Sequence, residues 1–253
     1  MTVKLSIKYF TILFIAIGLA QNAAAGGAPN NPNWAVTQFS LFQGNNYAIG
    51  PNNKMTLRLS EANSWKYGDN YFFFDVTQPF SDGTSIYGEW KPRLSLSKLT
   101  GRDFHAGIIS DVLVAGEMNF GGRDARAYLI GIGFNLKFPK FKFVKFNIYA
   151  RRDPSYKGST YQFSWAWNLP ISLTKTRLKL VFDGYADWTG QQALLKNNFL
   201  TQPRLMLDLG ALAFKKAGHL YAGCQYVYWN NKFGHKDIVE SEFEPVITWQ
   251  LLF

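Results

Sequence analysis

The last eleven residues, Phe243 to Phe253, alternate apolar and other side chains and end on an aromatic. From Phe243 onward, Phe243, Pro245, Ile247, Trp249, Leu251 and Phe253 fall on one face, with Glu244, Thr248 and Gln250 on the other. Successive side chains of a strand point to opposite faces, so this is a strand with an apolar side and a wet side. The same period recurs along the chain in segments of about ten residues separated by turn residues, the spacing of β-barrel strands. Twelve segments read this way: 34–43, 54–62, 69–76, 84–96, 109–119, 127–137, 143–152, 160–170, 176–188, 201–212, 218–229 and 242–253. An even number is what a single-chain bacterial barrel requires. The predicted fold is all-β, a transmembrane antiparallel up-and-down β-barrel of about 12 strands, occupying residues 26–253 as one domain.

The N-terminus points to export. Lys4 and Lys8 precede an apolar run from Tyr9 to Ala20, and Ala23-Ala24-Ala25 precede Gly26, the three parts of a cleaved signal peptide over 1–25. That run is about twelve residues long, whereas a membrane-spanning helix needs about 20. No run of about 18 apolar residues follows it, so the exported chain is either periplasmic or a membrane barrel. An aromatic at the very end, Phe253, resembles the C-terminal signal through which outer-membrane barrels engage the barrel assembly machinery.

Composition favours the barrel. Aromatics make up 17% of the chain, with 22 Phe, 13 Tyr and 8 Trp, a level suited to lipid-facing strand surfaces and interfacial girdles. A soluble sandwich would show the same alternation with its charged face outward, so parity alone does not separate the two. The aromatic apolar faces do, with Trp165, Trp167, Trp188 and Trp249 read as lying near strand ends. The formal charge of +10 suits contact with outer-membrane lipids and anionic lipopolysaccharide. Without a recognition helix, zinc spacing or RNA-binding motif beside it, nucleic acid is not an expected partner.

Parity assigns the lumen. On strand four, Tyr87, Glu89, Lys91, Arg93 and Ser95 face inward while Ile86, Trp90, Leu94 and Leu96 face lipid. The same rule places Arg58, Lys145, Arg151, Arg177, Lys179 and Arg204 inside, with Asp75, Asp111, Glu117, Asp183, Asp187 and Asp208. Tyr71, Phe73, Tyr149, Tyr185, Tyr221 and Trp229 add rings. A single-signed lining would select ions of opposite charge. A mixed lining interleaved with rings suits a neutral, flat, hydrogen-bonding small solute such as a nucleoside. The candidate substrate-binding residues are therefore Tyr87, Tyr149 and Tyr185 for stacking, Glu89, Lys91 and Arg93 for polar edges, and Asp183 and Asp187 for ribose hydroxyls. The other reading is a closed structural or receptor barrel acting through loops 189–200 and 230–241.

Three stretches carry a family resemblance: Glu89-Trp90-Lys91-Pro92-Arg93-Leu94-Ser95-Leu96-Ser97-Lys98-Leu99-Thr100, Asn147-Ile148-Tyr149-Ala150, and Phe182-Asp183-Gly184-Tyr185-Ala186-Asp187-Trp188. Taken in order, they resemble the nucleoside-specific channel-forming outer-membrane proteins, the Tsx and OmpK-like group. The resemblance implies a twelve-stranded barrel in the bacterial outer membrane that passes nucleosides and, in some members, serves as a phage receptor. The chain departs from that pattern in strand one and at Glu244, Pro245 and Gln250.

Other chemistries lack residues to support them. His105, His219 and His235 lie at or near connections without ligand spacing, and Cys224 is the only cysteine, so neither a metal centre nor an internal disulfide is expected. No Gly-x-Ser-x-Gly motif or glycine-rich phosphate loop is present, so catalysis and a cofactor are not expected. Gly131 and Gly133 fall inside a strand, where glycine marks close packing or a bend.

Overall fold

A computed structural model describes residues 34–122, 126–173 and 178–252. The predicted leader 1–25, Arg177 and Phe253 lie outside the described residues. The elements are β1 (Trp34–Gly44), β2 (Lys54–Trp65), β3 (Gly68–Thr77), β4 (Ser85–Ser95), α1 (Leu96–Thr100), β5 (Ile109–Gly121), β6 (Ala127–Leu136), β7 (Phe143–Arg152), β8 (Thr160–Ser172), β9 (Lys179–Thr189), β10 (Asn198–Thr201), β11 (Arg204–Asp208), α2 (Leu209–Ala213), β12 (Leu220–Asn230) and β13 (Glu240–Leu252). Neighbours in sequence pair antiparallel, and β13 returns to β1 with Phe39 opposite Trp249 and Phe42 opposite Val246. β10 and β11 both lie between β9 and β12, two halves of one stave. The thirteen strands therefore close a barrel of twelve staves, with no free edge.

The broken stave corrects the predicted strand 201–212. It starts earlier, at Asn198, and is interrupted at Gln202-Pro203 because proline cannot donate to the ladder. The register survives the break: Gln202 N–H still donates to Tyr185 O, and Pro203 O accepts from Tyr226 N–H. Gly184 lies against this point, where a Cβ would meet Gln202 O at 2.6 Å and Pro203 Cα at 2.8 Å. The stave also ends sooner, since Asp208 accepts from Ala211 N–H (2.8 Å) and starts α2 at Leu209. Likewise Ser95 accepts from Lys98 N–H (3.1 Å) and caps α1, so Leu96 is helical rather than lipid-facing strand. The long connection 97–108 contains most of that helix. The remaining strand limits differ from prediction by at most three residues.

Faces alternate as parity requires. Ile86, Trp90, Leu94, Val114, Ile130, Ile148, Leu205, Ile247 and Trp249 are exposed on the outside, while their inward neighbours Arg93, Ser95, Leu113, Glu117, Leu129 and Met206 are buried. Trp165 and Trp167 fall in the middle of β8 rather than near a strand end. Trp165 packs on Phe146, and Trp188 stacks on Phe163, forming an aromatic patch on the outer wall of β7–β9. The inner wall is packed in places: Ala115, Ala127, Leu129 and Tyr149 form a buried cluster, and Phe42, Met206 and Val246 form a second.

Gly133 explains the glycines of β6. A Cβ there would press on Asn147 Oδ1 at 2.6 Å and lie 3.6 Å from the Arg93 guanidinium. The missing side chain thus makes the space in which Arg93 lies over β6. Gly133→Leu is expected to keep the twelve staves but to lose about 1–3 kcal/mol through overpacking. Urea unfolding of the detergent-solubilised barrel, followed by heat-modifiable migration, checks this.

Candidate functional site

The lumen holds three tiers of charge. Connections 45–53, 190–197 and 231–239 mark one end of the barrel, the loop end, and α1 and α2 lie at the other.

The tier nearest the helices is organised by Asp69, the first inward residue of β3. Arg93 Nε and Nη2 donate to its two oxygens (3.0 and 2.7 Å), and Lys145 Nζ donates to Oδ1 (2.9 Å). Lys145 stands on β7, so this bond passes over the inner faces of β4, β5 and β6. The same guanidinium donates to Asn135 (2.6 Å) and Asn147 (3.4 Å), and Arg93 is only 3% exposed. Asp69 was not among the predicted lumen charges. It sits at the strand boundary, and continuing the parity of Tyr71, Phe73 and Asp75 by one step would have found it.

The middle tier is ionic and aromatic. Glu89 accepts from the Tyr87 hydroxyl (2.6 Å) and pairs with Lys91 (2.7 Å), and Lys91 also reaches Glu117 (3.3 Å). The same ammonium lies 6.0 Å from the centre of the Tyr185 ring on β9, five staves away around the twelve. Two opposite walls therefore approach each other at this level. Around that slot, Arg58 forms a two-pronged pair with Asp75 (2.6 and 2.7 Å) and lies over Phe73, and Arg204 does the same with Asp183 (2.8 and 3.0 Å). Bidentate pairs of this kind fix a guanidinium in one orientation.

The tier at the loop end comes from β13. Glu240, Glu242 and Glu244 share its inner face, each under 10% exposed. Glu244 accepts from Gln225 (2.7 Å) and from the Tyr47 hydroxyl (2.5 Å). Glu242 Oε2 accepts from Asn45 and Asn46 N–H (both 3.2 Å), and Glu240 accepts from Ala48 N–H (3.0 Å) and the Lys232 ammonium. Burial, and next the adjacent Glu244 carboxylate, push the Tyr47 hydroxyl well above its usual range, so it remains a donor at neutral pH. Sequence reasoning placed Glu244 on the wet face but missed Glu240, which precedes the predicted strand, and Tyr47, whose loop carries no alternation to place it.

The other sequence-predicted residues sort by tier. Tyr87, Glu89, Lys91 and Tyr185 come together in the middle tier. Asp183 is engaged by Arg204. Asp187 shares the inward face of β9 with Asp183 and Tyr185, opposite Leu200 on β10. Tyr149 is 1% exposed and packed into the inner wall. Asp208 is occupied in capping α2, and Asp111 accepts from Ser97 (2.8 Å). Among the described residues no group of three or more His, Cys, Asp or Glu could hold a metal ion.

This chain is similar to known proteins. The family model described as nucleoside-specific channel-forming protein, Tsx, matches residues 32–247. The chain belongs to that family. An outer membrane protein OmpK from Vibrio parahaemolyticus is 29% identical over 129 residues, covering 47% of this chain and 49% of its own length. A second OmpK, from V. parahaemolyticus serotype O3:K6, is 27% identical over 135 residues, covering 47% and 51%. The chain thus spans about half the length of the curated relatives it matches. Among solved structures, a KdgM porin superposes with a TM-score of 0.50 at 6% identity, covering 85% of this chain and 98% of its own, a likeness of fold. This Tsx-family member is a bacterial outer-membrane β-barrel of channel type.

In the tier nearest the helices, Asp69 neutralises two cations at once, so removing it strands both. Breaking a buried ion pair costs about 3–5 kcal/mol where no other partner compensates. Asp69→Asn and Arg93→Ala are each expected to lower the unfolding midpoint in urea. Their double variant should lose about 1–3 kcal/mol less than the sum, the signature of direct coupling.

Proposed function

We propose that this channel carries nucleosides, or closely similar neutral ring-bearing solutes, by diffusion with weak binding in the middle tier. The observation that carries the reading is the slot between Lys91 on β4 and Tyr185 on β9, bordered by Tyr87, Glu89, Glu117 and Asp187. A flat base that takes the place of the Lys91 ammonium over the Tyr185 ring stacks on it, which contributes about 1–3 kcal/mol. The carboxylates of Glu89 and Asp187 are acceptors for sugar hydroxyls, and the Lys91 ammonium is a donor for ring nitrogens and carbonyls. Arg93 and Tyr149 act behind this surface, holding the wall that presents it. Asp183 keeps Arg204 fixed against the same wall.

The charge pairing supports passage of neutral solutes. Arg58 with Asp75 and Arg204 with Asp183 cancel across neighbouring strands, and Lys91 with Glu89 cancels within β4, leaving local dipoles that orient a polar molecule. Conduction needs sites that release what they bind. The description of the matching family agrees with this reading.

The purified protein in a planar bilayer should carry a steady current in KCl that adenosine and thymidine reduce and glucose does not. Tyr185→Ala should weaken that block roughly tenfold, equivalent to about 1.4 kcal/mol of lost stacking, while the channel still conducts. Equal block by glucose, or block unchanged in Tyr185→Ala, would count against the assignment.

A further inference from the structure

Two carboxylates of the loop-end tier, Glu242 and Glu244, are paired with no cation among the described residues. Lys91, Arg93, Lys145, Arg58 and Arg204 each pair with a carboxylate. On β13 only Glu240 has a cation, Lys232. Glu242 and Glu244 have no ion-pair partner among the described residues, and their partners are neutral: two backbone N–H groups, a phenol and an amide. Glu242 Oε1 is buried with no hydrogen-bond partner.

The first loop is folded into the same opening. Asn45, Asn46 and Ala48 donate their backbone N–H groups to glutamates on the inner face of β13, so residues 45–48 run down inside the barrel wall rather than away from it. Tyr47 is the point of attachment. Its hydroxyl reaches Glu244, and its ring lies 4.1 Å from the Lys54 ammonium and 5.7 Å from that of Lys232. Lys54 in turn donates to Ile49 O (2.5 Å), closing the loop back on β2. The charged groups facing one another here are Glu240, Glu242 and Glu244 against Lys54 and Lys232. Carboxylates outnumber ammoniums in a narrow opening with low-dielectric walls, which focuses the excess negative potential.

We infer that loop 45–53, pinned by Tyr47 to the glutamate column of β13, forms the entrance constriction of this channel, and that Glu242 and Glu244 make that entrance prefer cations to anions. The inference needs only a conducting channel and holds whether or not nucleosides are the solute. A ring of carboxylates at a pore constriction admits cations and repels anions. The backbone N–H groups of Asn45 and Asn46 hold the Glu242 carboxylate in place against the loop. Tyr47 is a positioning residue: it acts by holding the loop, and Glu242 and Glu244 act on the passing ion.

The test is the reversal potential and single-channel conductance of the full protein in a KCl gradient, without nucleoside. The wild-type channel should favour potassium over chloride. Glu242→Gln with Glu244→Gln keeps the side-chain length and one acceptor oxygen at each position, removes both charges, and should bring the permeability ratio to about one. Tyr47→Ala frees the loop and should raise conductance about twofold or more, with heat-modifiable migration confirming an intact barrel. Asp237→Asn, an exposed carboxylate on the loop after β12, should leave the ratio unchanged. Anion preference in the wild type, an unchanged ratio in the glutamine double variant, an equal shift in Asp237→Asn, or unchanged conductance in Tyr47→Ala would each overturn the assignment. Absence of nucleoside block would leave it standing, and so separates its failure from that of the nucleoside reading.

Discussion

Every backbone N–H and C=O within hydrocarbon must find a partner inside the protein, because lipid offers none. The pairing of β13 with β1 meets that demand by removing the last two edges of the sheet, and most other features follow from it. Closure fixes which face is outside, and the outside must then be apolar: hence the exposed Ile130, Ile148, Leu205, Ile247 and Trp249. Most charges on the spanning strands are forced inward, Glu61 on β2 and Arg152 at the end of β7 being on the other face, and the lumen of twelve staves is narrow enough for side chains from different walls to meet. Even the proline break at 202–203 is accommodated within the closed ladder, with the neighbouring carbonyls and amides of Tyr185 and Tyr226 taking up the pairing.

Crowded charges within a wall of low dielectric need partners. Below the loop end they find them in carboxylate–cation pairs, most of them between adjacent strands and one between strands that are not neighbours. The Asp69–Lys145 bond ties β3 to β7 and braces the wall that Arg93 crosses. Such bonds give the lumen a fixed shape. At the loop end the arrangement is different. Three carboxylates are held mainly by neutral donors, most of which belong to the loop after β1.

Much of this was legible in the chain. Alternation in β4 correctly placed Tyr87, Glu89, Lys91 and Arg93 together on the inner face, and the stretch from Glu89 to Thr100 carried the family resemblance that the match over residues 32–247 established. Gly131 and Gly133 read as points of close packing, and Gly133 proved to be the space for Arg93. Strand ends were harder. Ser95 and Asp208 are ordinary strand residues by pattern, yet each turns its side chain back to cap a short helix, a local hydrogen bond that competes with the ladder. Asp69 and Glu240 were missed at strand ends: Asp69 opens the predicted strand 69–76 one parity step before Tyr71, and Glu240 precedes the predicted strand 242–253.

The sequence by itself determined the inside and outside of the barrel, because a period of two admits only two faces and lipid tolerates only one kind. It determined the number of staves and the mixed charge of the lining for the same reason. Only the tertiary structure decided which charges meet. Lys91 and Tyr185 are 94 positions apart in the chain and on nearly opposite walls, and Tyr47 and Glu244 come from the two ends of the barrel domain. Those contacts depend on closure and on how far each side chain reaches across the lumen, distances that no periodicity along a single strand encodes.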